Sequence, residues 1–376
     1  TLSTERIDPT QFSKSVTSAS AVLDQALGVR IQRSGNIGRA EQIQLRGAGG
    51  HQVGIFLEGI PLHSSRGAAV DLSTLPILAL DHILVSRGAA SSAYGSGAQG
   101  GVLDLKLTDP QHHEMAVHTR LGSLGLAQAD AGIRVPIGDG GLNTALHLER
   151  GDGDFEFEDI NGRRRTRDNN GHEKAGGLIY GRWQAGQSTR IGMLLEGVHD
   201  RRQEPGSEQF PTLSAASERE RMLTGLQLVS PGLLKGRAAI KAATWSVHRR
   251  YAFRNPSPSL SGEPTAFSML DSRTGLRVNA SWEGSVHHRP QATMEGHFES
   301  AVTKGEENRK ETRMSGAFTG GWSVYPHRSL TVLTMARMDN AEGREPVWVP
   351  KVGFRYAYNE AIHLNGNIGR LFRDPS

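Results

Sequence analysis

Residues 237–250 read RAAIKAATWSVHRR. Successive side chains of an extended chain point to opposite faces, and alternate residues of this stretch therefore share a face. One face carries Ala239, Lys241, Ala243, Trp245 and Val247. Similar alternation over about ten residues recurs after His113, at 115–122, 142–150 and 189–199. Because a strand that crosses a membrane shows lipid only every second side chain, the pattern predicts an antiparallel transmembrane β-barrel over residues 111–376.

The links between these segments alternate in length. Short links are predicted at 136–141, 185–188, 230–236, 286–290, 324–329 and 358–360. Longer polar links are predicted at 151–173, 200–217, 251–270, 301–310 and 340–345, after a brief first outer link at 122–125. Outer-membrane barrels have short periplasmic turns and long outer loops. The count is roughly thirteen strands, an odd number. We therefore expect a barrel that is incomplete at the C-terminus and covers part of a wider one of roughly 22 strands.

Composition narrows the functional classes. The chain has 376 residues, no cysteine, a formal net charge of +4 and a mean hydropathy of −0.43. The absence of cysteine excludes disulfides and thiolate chemistry, and the mild charge does not require a nucleic-acid partner. No Ser-His-Asp order or pair of carboxylates has a context that supports catalysis. We expect no enzyme activity, no cofactor and no specific metal site. A large soluble β domain stays open as an alternative.

The first 110 residues have shorter strands and more glycine. Strands are predicted at Ile43–Leu45, Val53–Leu57, Ile83–Ser86 and Val102–Leu107, with a short helix over 22–29 that ends at Gly28. A small α+β domain ahead of a barrel, sized for a wide lumen, suggests a plug. The expected fold is thus mainly β, with a plug domain at 1–110 and a barrel at 111–376.

Two stretches resemble the TonB-dependent outer-membrane receptors. IQLRGAGGHQVGIFLEGIPL (43–62) and ILVSRGAASSAYGSGAQGGVLDLKL (83–107) are similar to the two plug motifs of that family. GDGDFEFED (151–159) and IGRLFRDPS (368–376) are similar to its first long loop and mid-barrel stretch. The sequence departs from the family at Glu58, usually Asp, Leu84, usually Glu, and Ala89, usually Pro. The first two departures affect the carboxylates of the plug.

The resemblance implies a location and a function. It implies the outer membrane of a Gram-negative bacterium and active import of a scarce nutrient chelate. A ferric siderophore is the first expectation, ahead of cobalamin, other metals and oligosaccharides. The implied partners are TonB with its inner-membrane energising complex, outer-membrane lipid or lipopolysaccharide, and the chelate; a monomer is expected. A signalling or surface-binding receptor without transport stays open.

The resemblance also assigns roles to residues. Arg46 and Arg87 are expected to pair with glutamates of the barrel wall as a lock on the plug, since guanidinium binds carboxylate in a bidentate manner; ordinary turn arginines are the alternative. The motif residues with an architectural role are Gly47, Glu58, Gly59, Gly88, Tyr94, Gly95, Gly97, Gly100 and Gly101. The GxGxxG-like spacing at 95–100 is not followed by a β-α-β unit, which disfavours a dinucleotide loop.

Substrate contacts of this family come from plug apices and outer loops. The apices here are predicted at Ser34–Glu41 and Leu62–Ala69. Their polar residues, the candidate substrate contacts, are Asn36, Arg39, His63, Ser64, Ser65 and Arg66. A basic, hydroxyl-bearing apex suits an anionic or metal-chelate ligand, whereas solvated loop residues are the alternative at each position.

Overall fold

A computed structural model describes most of the chain. The described residues are 4–9, 18–33, 35, 38–64, 69–75, 77–87, 94, 98–257, 263–305, 308–359 and 362–370.

The first seven strands and one helix belong to the N-terminal part. They are β1 (Thr4–Ile7), α1 (Ala19–Leu23), β2 (Val29–Arg33), β3 (Glu41–Leu45), β4 (Val53–Leu57), β5 (Ile60–Pro61), β6 (Leu80–Arg87) and β7 (Gly101–Leu107). Single 3₁₀ turns lie at Gly50–Gln52, Leu72–Thr74 and Ile77–Ala79. Five strands form one sheet in the order β1-β6-β7-β4-β5, in which β4 and β7 are parallel, and β2 pairs with β3. All four predicted strands lie within these elements.

The predicted helix over 22–29 is wrong in its position. The helix runs from Ala19 to Leu23 because the side chain of Ser18 caps its start by accepting from the amide of Ala21. Gly28 has φ +73° and lies in the turn that leads into β2, so it does not end the helix.

Most of the remaining strands are longer. They are β8 (Glu114–Leu121), β9 (Ala127–Ile137), β10 (Gly140–Gly151), β11 (Phe155–Glu158), β12 (Arg164–Arg167), β13 (His172–Ala185), β14 (Thr189–Gln203), β15 (Ala216–Gly232), β16 (Ala238–Asn255), β17 (Thr265–Trp282), β18 (His288–Lys304), β19 (Arg309–His327), β20 (Leu330–Ala341), β21 (Val347–Ala357) and β22 (His363–Gly369). A tight turn at Leu233–Gly236, in which Leu234 and Lys235 have positive φ values, joins β15 to β16.

Thirteen of these strands form one antiparallel sheet in chain order, from β8 to β22, while β11 and β12 form a separate hairpin. The predicted strand count and the antiparallel wall are confirmed. The sheet begins at Glu114, and the domain boundary at 110/111 stays a prediction.

The alternation of link lengths is only partly correct. Long connections join the strands at 152–171, 204–215 and 256–264. The predicted long links at 301–310 and 340–345 shrink to 305–308 and 342–346, because β18 to β21 continue their hydrogen-bonded pairing into those stretches. The three long connections define the long-link end of the wall, and the connections at 138–139 and 186–188 define its short-turn end.

One face of the wall packs against the N-terminal sheets. The largest hydrophobic cluster contains plug residues such as Ile55 and Leu105 together with Leu178, Leu223 and Trp245 of the wall. The opposite face exposes large apolar side chains, including those of Ile179, Ile191, Leu195, Met222, Leu226, Met294 and Phe318. An apolar outward face is the surface that lipid requires. Among the described residues, no helix is long and apolar enough to cross a membrane.

Candidate functional site: the plug–barrel interface

The hairpin of β4 and β5 makes several polar contacts with the wall. Leu57 pairs with Ile60, which leaves a two-residue turn in which Glu58 has φ +51° and Gly59 has φ +79°. Two positive φ values define a type I′ turn, which follows the twist of the strands. The Glu58 carboxylate accepts from the amide of Leu107 at 2.6 Å. Burial raises the pKa of Glu58, against the opposing charge of Lys106.

Side chains of the wall donate to backbone carbonyls of this hairpin. Gln227 Nε2 on β15 donates to the carbonyl of Glu58 at 2.6 Å, and Arg277 Nη1 on β17 donates to that of Gly59 at 2.9 Å. Arg249 Nη2 on β16 donates to the carbonyl of Leu62 at 2.5 Å. Carbonyls that a sharp turn leaves without a strand partner are thereby satisfied. Gln227, Arg249, Arg273 and Arg277, together with residues 58–63, form what we call the hairpin clasp.

The arginines of the hairpin clasp are also paired with carboxylates of the wall. Arg249 Nη1 lies 3.0 Å from Asp271 Oδ1, and Arg277 pairs with Glu295. Arg273 Nε lies 3.2 Å from Glu299 Oε1. A buried guanidinium is tolerated only when its charge is compensated. The wall therefore holds its donors in position through pairs that do not depend on the plug.

Arg277 lies between two aromatic rings. Its Cζ is 6.0 Å from the ring centroid of Phe56 in the plug and 5.6 Å from that of Trp245 in the wall. Both distances are within the range of cation–π attraction. Nearby, a Cβ on Gly225 would lie 2.4 Å from Cδ1 of Ile60. The absence of a side chain at Gly225 lets the hairpin approach the wall this closely.

His63 completes the hairpin clasp. Arg273 Nη1 lies 2.8 Å from His63 Nε2. Because guanidinium can only donate, Nε2 accepts, and the neutral ring carries its proton on Nδ1. Burial, followed by the charge of Arg273, holds the pKa of His63 well below its usual value. The imidazole is thus a neutral acceptor in this contact.

A second group of contacts joins side chains to side chains. Asp71 of the plug pairs with Arg202 of β14, which lies 2.6 Å from Asp200 Oδ2. Arg39 Nη1 lies 2.8 Å from Glu204 Oε2, and its Nη2 donates to Asn170 at 2.8 Å. Burial acts to raise the pKa of Asp71, but Arg202 and the amide of Glu41 hold that pKa below its usual value. We call Arg39 and Asp71 with these partners the apex pairs.

The two arginines of the predicted lock lie in different settings. Arg46 is exposed at φ +50°, and within the described part of the chain no carboxylate lies within ion-pair distance of it. Arg87 pairs with Glu5 of β1 and donates to the carbonyl of Leu27 at 2.7 Å. The pairing of Arg46 and Arg87 with glutamates of the barrel stays a prediction.

The other predicted residues divide into two groups. Asn36, Ser65, Arg66, Gly88, Gly95 and Gly97 lie outside the described residues. Of the rest, Tyr94 packs against Phe56 with ring centroids 5.1 Å apart. Gly47 and Gly101 have positive φ values, and Gly100 donates its amide to the carbonyl of Gln52 at 2.9 Å. Tyr94 and these glycines thus contribute packing, turns and a backbone hydrogen bond within the plug, and their architectural role stays a prediction.

A cavity of about 360 Å³ separates the plug from the wall near the long-link end. Its plug side includes Ser64, Asp71 and Leu62, and its wall side is formed by β14 to β17. We call it the plug–wall cavity. It lies beside both the hairpin clasp and the apex pairs, since Arg249 and Asp71 belong to its lining. On its plug side, only Ala40, Leu62, Ser64 and Ala69 lie in the apices predicted from the sequence; Asp71 and the wall side were not predicted.

A strand wall with an apolar outer face and a separate small domain against its inner face is the architecture of a plugged outer-membrane β-barrel. Residues 1–102 match the model of the TonB-dependent receptor plug domain. This match identifies the N-terminal part of the chain as a plug domain of the TonB-dependent receptors, a family of the Gram-negative outer membrane. The predicted family, fold and location are therefore confirmed.

Relatives and solved structures agree with this assignment. The vitamin B12 transporter BtuB of Vibrio cholerae is 33% identical over 130 residues, which are 34% of this chain and 21% of that protein. BtuB of Photobacterium profundum is 30% identical over 152 residues, 40% of this chain and 24% of that protein. The ferric enterobactin receptor PfeA of Pseudomonas aeruginosa has a similar fold, with a TM-score of 0.80 at 13% identity, and 99% of this chain covers 62% of it. The copper transporter OprC gives a TM-score of 0.77 at 16% identity, and the match covers 99% of this chain and 63% of OprC.

Proposed function

We propose that this protein is an active-transport receptor that takes up a scarce nutrient chelate across the outer membrane with energy coupled through TonB. The observation that carries the proposal is the position of the plug–wall cavity. It lies at the long-link end, between plug loops and strands β14 to β17. A ligand bound there can move toward the short-turn end only if the packed core shared by plug and wall rearranges.

The contacts of the plug fit such a rearrangement. The donors of the hairpin clasp keep their carboxylate partners when the plug leaves, so no unpaired buried charge remains in the wall. We propose that residues 1–110 act as the movable plug and residues 111–376 as barrel wall. Arg46 and Arg87 would lock the plug to other parts of the barrel, and Arg39, His63 and Ser64 would lie along the ligand route.

The partners follow from this proposal. TonB with its inner-membrane complex would supply the pull, lipopolysaccharide would surround the outer face, and the receptor would act as a monomer without enzyme activity or a cofactor. The named substrates of relatives and neighbours include vitamin B12, ferric enterobactin and copper. Of the siderophore and cobalamin classes, the ferric siderophore is the one predicted from the sequence.

The test is uptake by intact cells that carry the receptor as their only route for a labelled chelate. We expect uptake that stops when TonB is deleted or when a protonophore removes the membrane energy, while surface binding continues. A receptor that binds the chelate but accumulates none in energised cells would instead be a signalling or surface-binding receptor.

A further inference from the structure

The charges that line the plug–wall cavity compensate one another. Three guanidinium groups of the wall reach it, those of Arg219, Arg221 and Arg249, and three carboxylates do so, those of Asp71, Asp200 and Asp271. Glu220 and Arg250 also border the cavity, but the alternation of side chains along β15 and β16 places their charged groups on the outward face, where they pair with each other at 3.5 Å.

Each of the three guanidinium groups already has a partner. Arg221 Nη2 lies 2.6 Å from Glu196 Oε1, and its Nε also donates to the same carboxylate, which makes the pair bidentate. Arg249 lies 3.0 Å from Asp271, and Arg219 lies 3.5 Å from Asp200. A negatively charged ligand would have to compete with these carboxylates, and it would meet them as like charges at short range.

The rest of the cavity lining suits a ligand with an apolar surface. Tyr251 and Met269 face the cavity from the wall together with Val198, while Leu62 and Val70 face it from the plug. The Cζ of Arg219 lies 5.3 Å from the centroid of the Tyr251 ring, and this stacking fixes the orientation of the phenol. An apolar lining with a few placed polar groups is the usual composition of a small-molecule site.

We propose that the plug–wall cavity selects a metal chelate that carries no net negative charge and that presents apolar surface. This inference rests on the proposed function and narrows its substrate class. Corrinoids and neutral iron hydroxamates share this chemistry. Iron tris-catecholates do not, because six phenolate oxygens around one ferric ion leave a strongly anionic complex.

The experiment measures equilibrium binding of three probes to the purified full-length receptor in detergent: vitamin B12, ferrichrome as a neutral iron hydroxamate, and ferric enterobactin. One neutral probe is expected to bind at least about 100-fold more tightly than ferric enterobactin. Because its binding does not depend on net charge, its affinity should change less than about twofold between low and high salt. Which neutral probe binds identifies the corrinoid or the hydroxamate as the source.

Two variants test the lining itself. Tyr251→Ala should weaken binding of the neutral probe about 10-fold, as expected for loss of an aromatic contact, and Tyr251→Phe, which keeps the ring over Arg219, should restore most of it. Asp271→Asn removes one carboxylate without changing the side-chain shape. It should strengthen binding of ferric enterobactin about 10-fold, because Arg249 loses its competing partner.

Results that contradict this inference differ from results that contradict the proposed function. Tighter binding of ferric enterobactin than of either neutral probe, or no binding of the three, overturns the inference. Energy-dependent uptake of ferric enterobactin in cells would leave the proposed function standing in that case. Binding without uptake of a neutral probe contradicts the proposed function and leaves the inference intact.

Discussion

The plug is held by the wall in two different ways. In the hairpin clasp, wall side chains donate to backbone carbonyls and to His63, whereas in the apex pairs, plug side chains meet wall side chains. The first kind of contact depends on the path of the plug backbone and on the wall residues. The second depends on the identity of a few plug residues. A substitution in the plug can therefore remove an apex pair or the contact of His63, but the carbonyl contacts of the hairpin clasp can be removed only by a change of backbone or of the wall.

The largest expected effect is at Arg277. Arg277→Ala removes a buried carboxylate pair, a carbonyl contact and the filling between Phe56 and Trp245. Glu295 keeps its pair with Arg337, so the cost to the hairpin is that of a hydrogen bond from a charged group, about 1.5–3 kcal/mol, together with the cation–π contact to Phe56, about 0.5–2 kcal/mol. We expect this loss of stability to be measurable as weaker hydrogen-exchange protection of the amides of the β4–β5 hairpin. Arg277→Lys, which keeps the charge but not the planar group, should give an intermediate loss. Equal protection in Arg277→Ala and the parent receptor would show that the hairpin clasp does not hold the plug.

The next effect is at Asp71, whose lowered pKa gives a pH dependence with a definite sign. A carboxyl group with a depressed pKa in the folded protein stabilises at pH values above its unfolded value, about 3.9. That stabilisation is lost as the pH falls through the depressed value. Asp71→Asn should therefore cost about 1.5–3 kcal/mol at pH 7, measured as the urea concentration that releases the plug.

The same measurement at acid pH supplies the control for Asp71. At a pH below the depressed pKa of Asp71, the parent receptor and Asp71→Asn should release the plug at the same urea concentration. A difference that persists there would mean that the substitution acts through packing and not through the pair with Arg202.

A third substitution tests the dependence of the hairpin clasp on the backbone. Gly59→Ala places a Cβ on a residue at φ +79°, which costs about 1–2 kcal/mol. Gly47→Ala is the matched control, because Gly47 has φ +83° in the same plug and, like Gly59, has no atom within 4 Å of an added Cβ. Both variants should lower the melting temperature of the plug. Only Gly59→Ala should raise hydrogen exchange at the amide of Leu62. Equal exchange in the two variants would show that the conformation of the turn does not position the hairpin clasp.

The same two kinds of contact explain what the sequence could predict. Strand pattern and motifs predicted the plug strands, the thirteen-stranded wall and part of the plug side of the interface. The alternation at 237–250 put Trp245 and Val247 on one face, and Arg249 continues that face by two residues. Arg249 could therefore have been identified from the sequence as facing inward. Its acceptor, the carbonyl of Leu62, could not, because every residue has a carbonyl and the contact joins positions 187 residues apart.

Two further predictions failed or shifted for local reasons. The helix was placed too late because apolar spacing outweighed the cap at Ser18, and two outer links were drawn too long because polar residues also fill the ends of paired strands. The expected contact of Arg39 with substrate stays a prediction, but the sequence did not indicate that Arg39 binds Glu204 and Asn170. Both partners lie in or next to long connections whose course strand periodicity does not describe.

The smallest expected effect is at Arg39, whose pair with Glu204 is more exposed than the pair of Asp71 with Arg202. Arg39→Ala removes the contacts with Glu204 and Asn170, and a partly exposed pair of this kind contributes about 1 kcal/mol at most. The loss should shrink further in high salt, since screening already weakens the pair in the parent receptor. We expect a small decrease in the urea concentration for plug release at low salt and almost none at high salt. Arg30→Ala, on an exposed position of β2, is the control for loss of a plug charge. If Arg39→Ala instead released the plug as readily as Arg277→Ala, the side-chain pairs would hold the plug as strongly as the hairpin clasp, and the distinction between the two regions would fail.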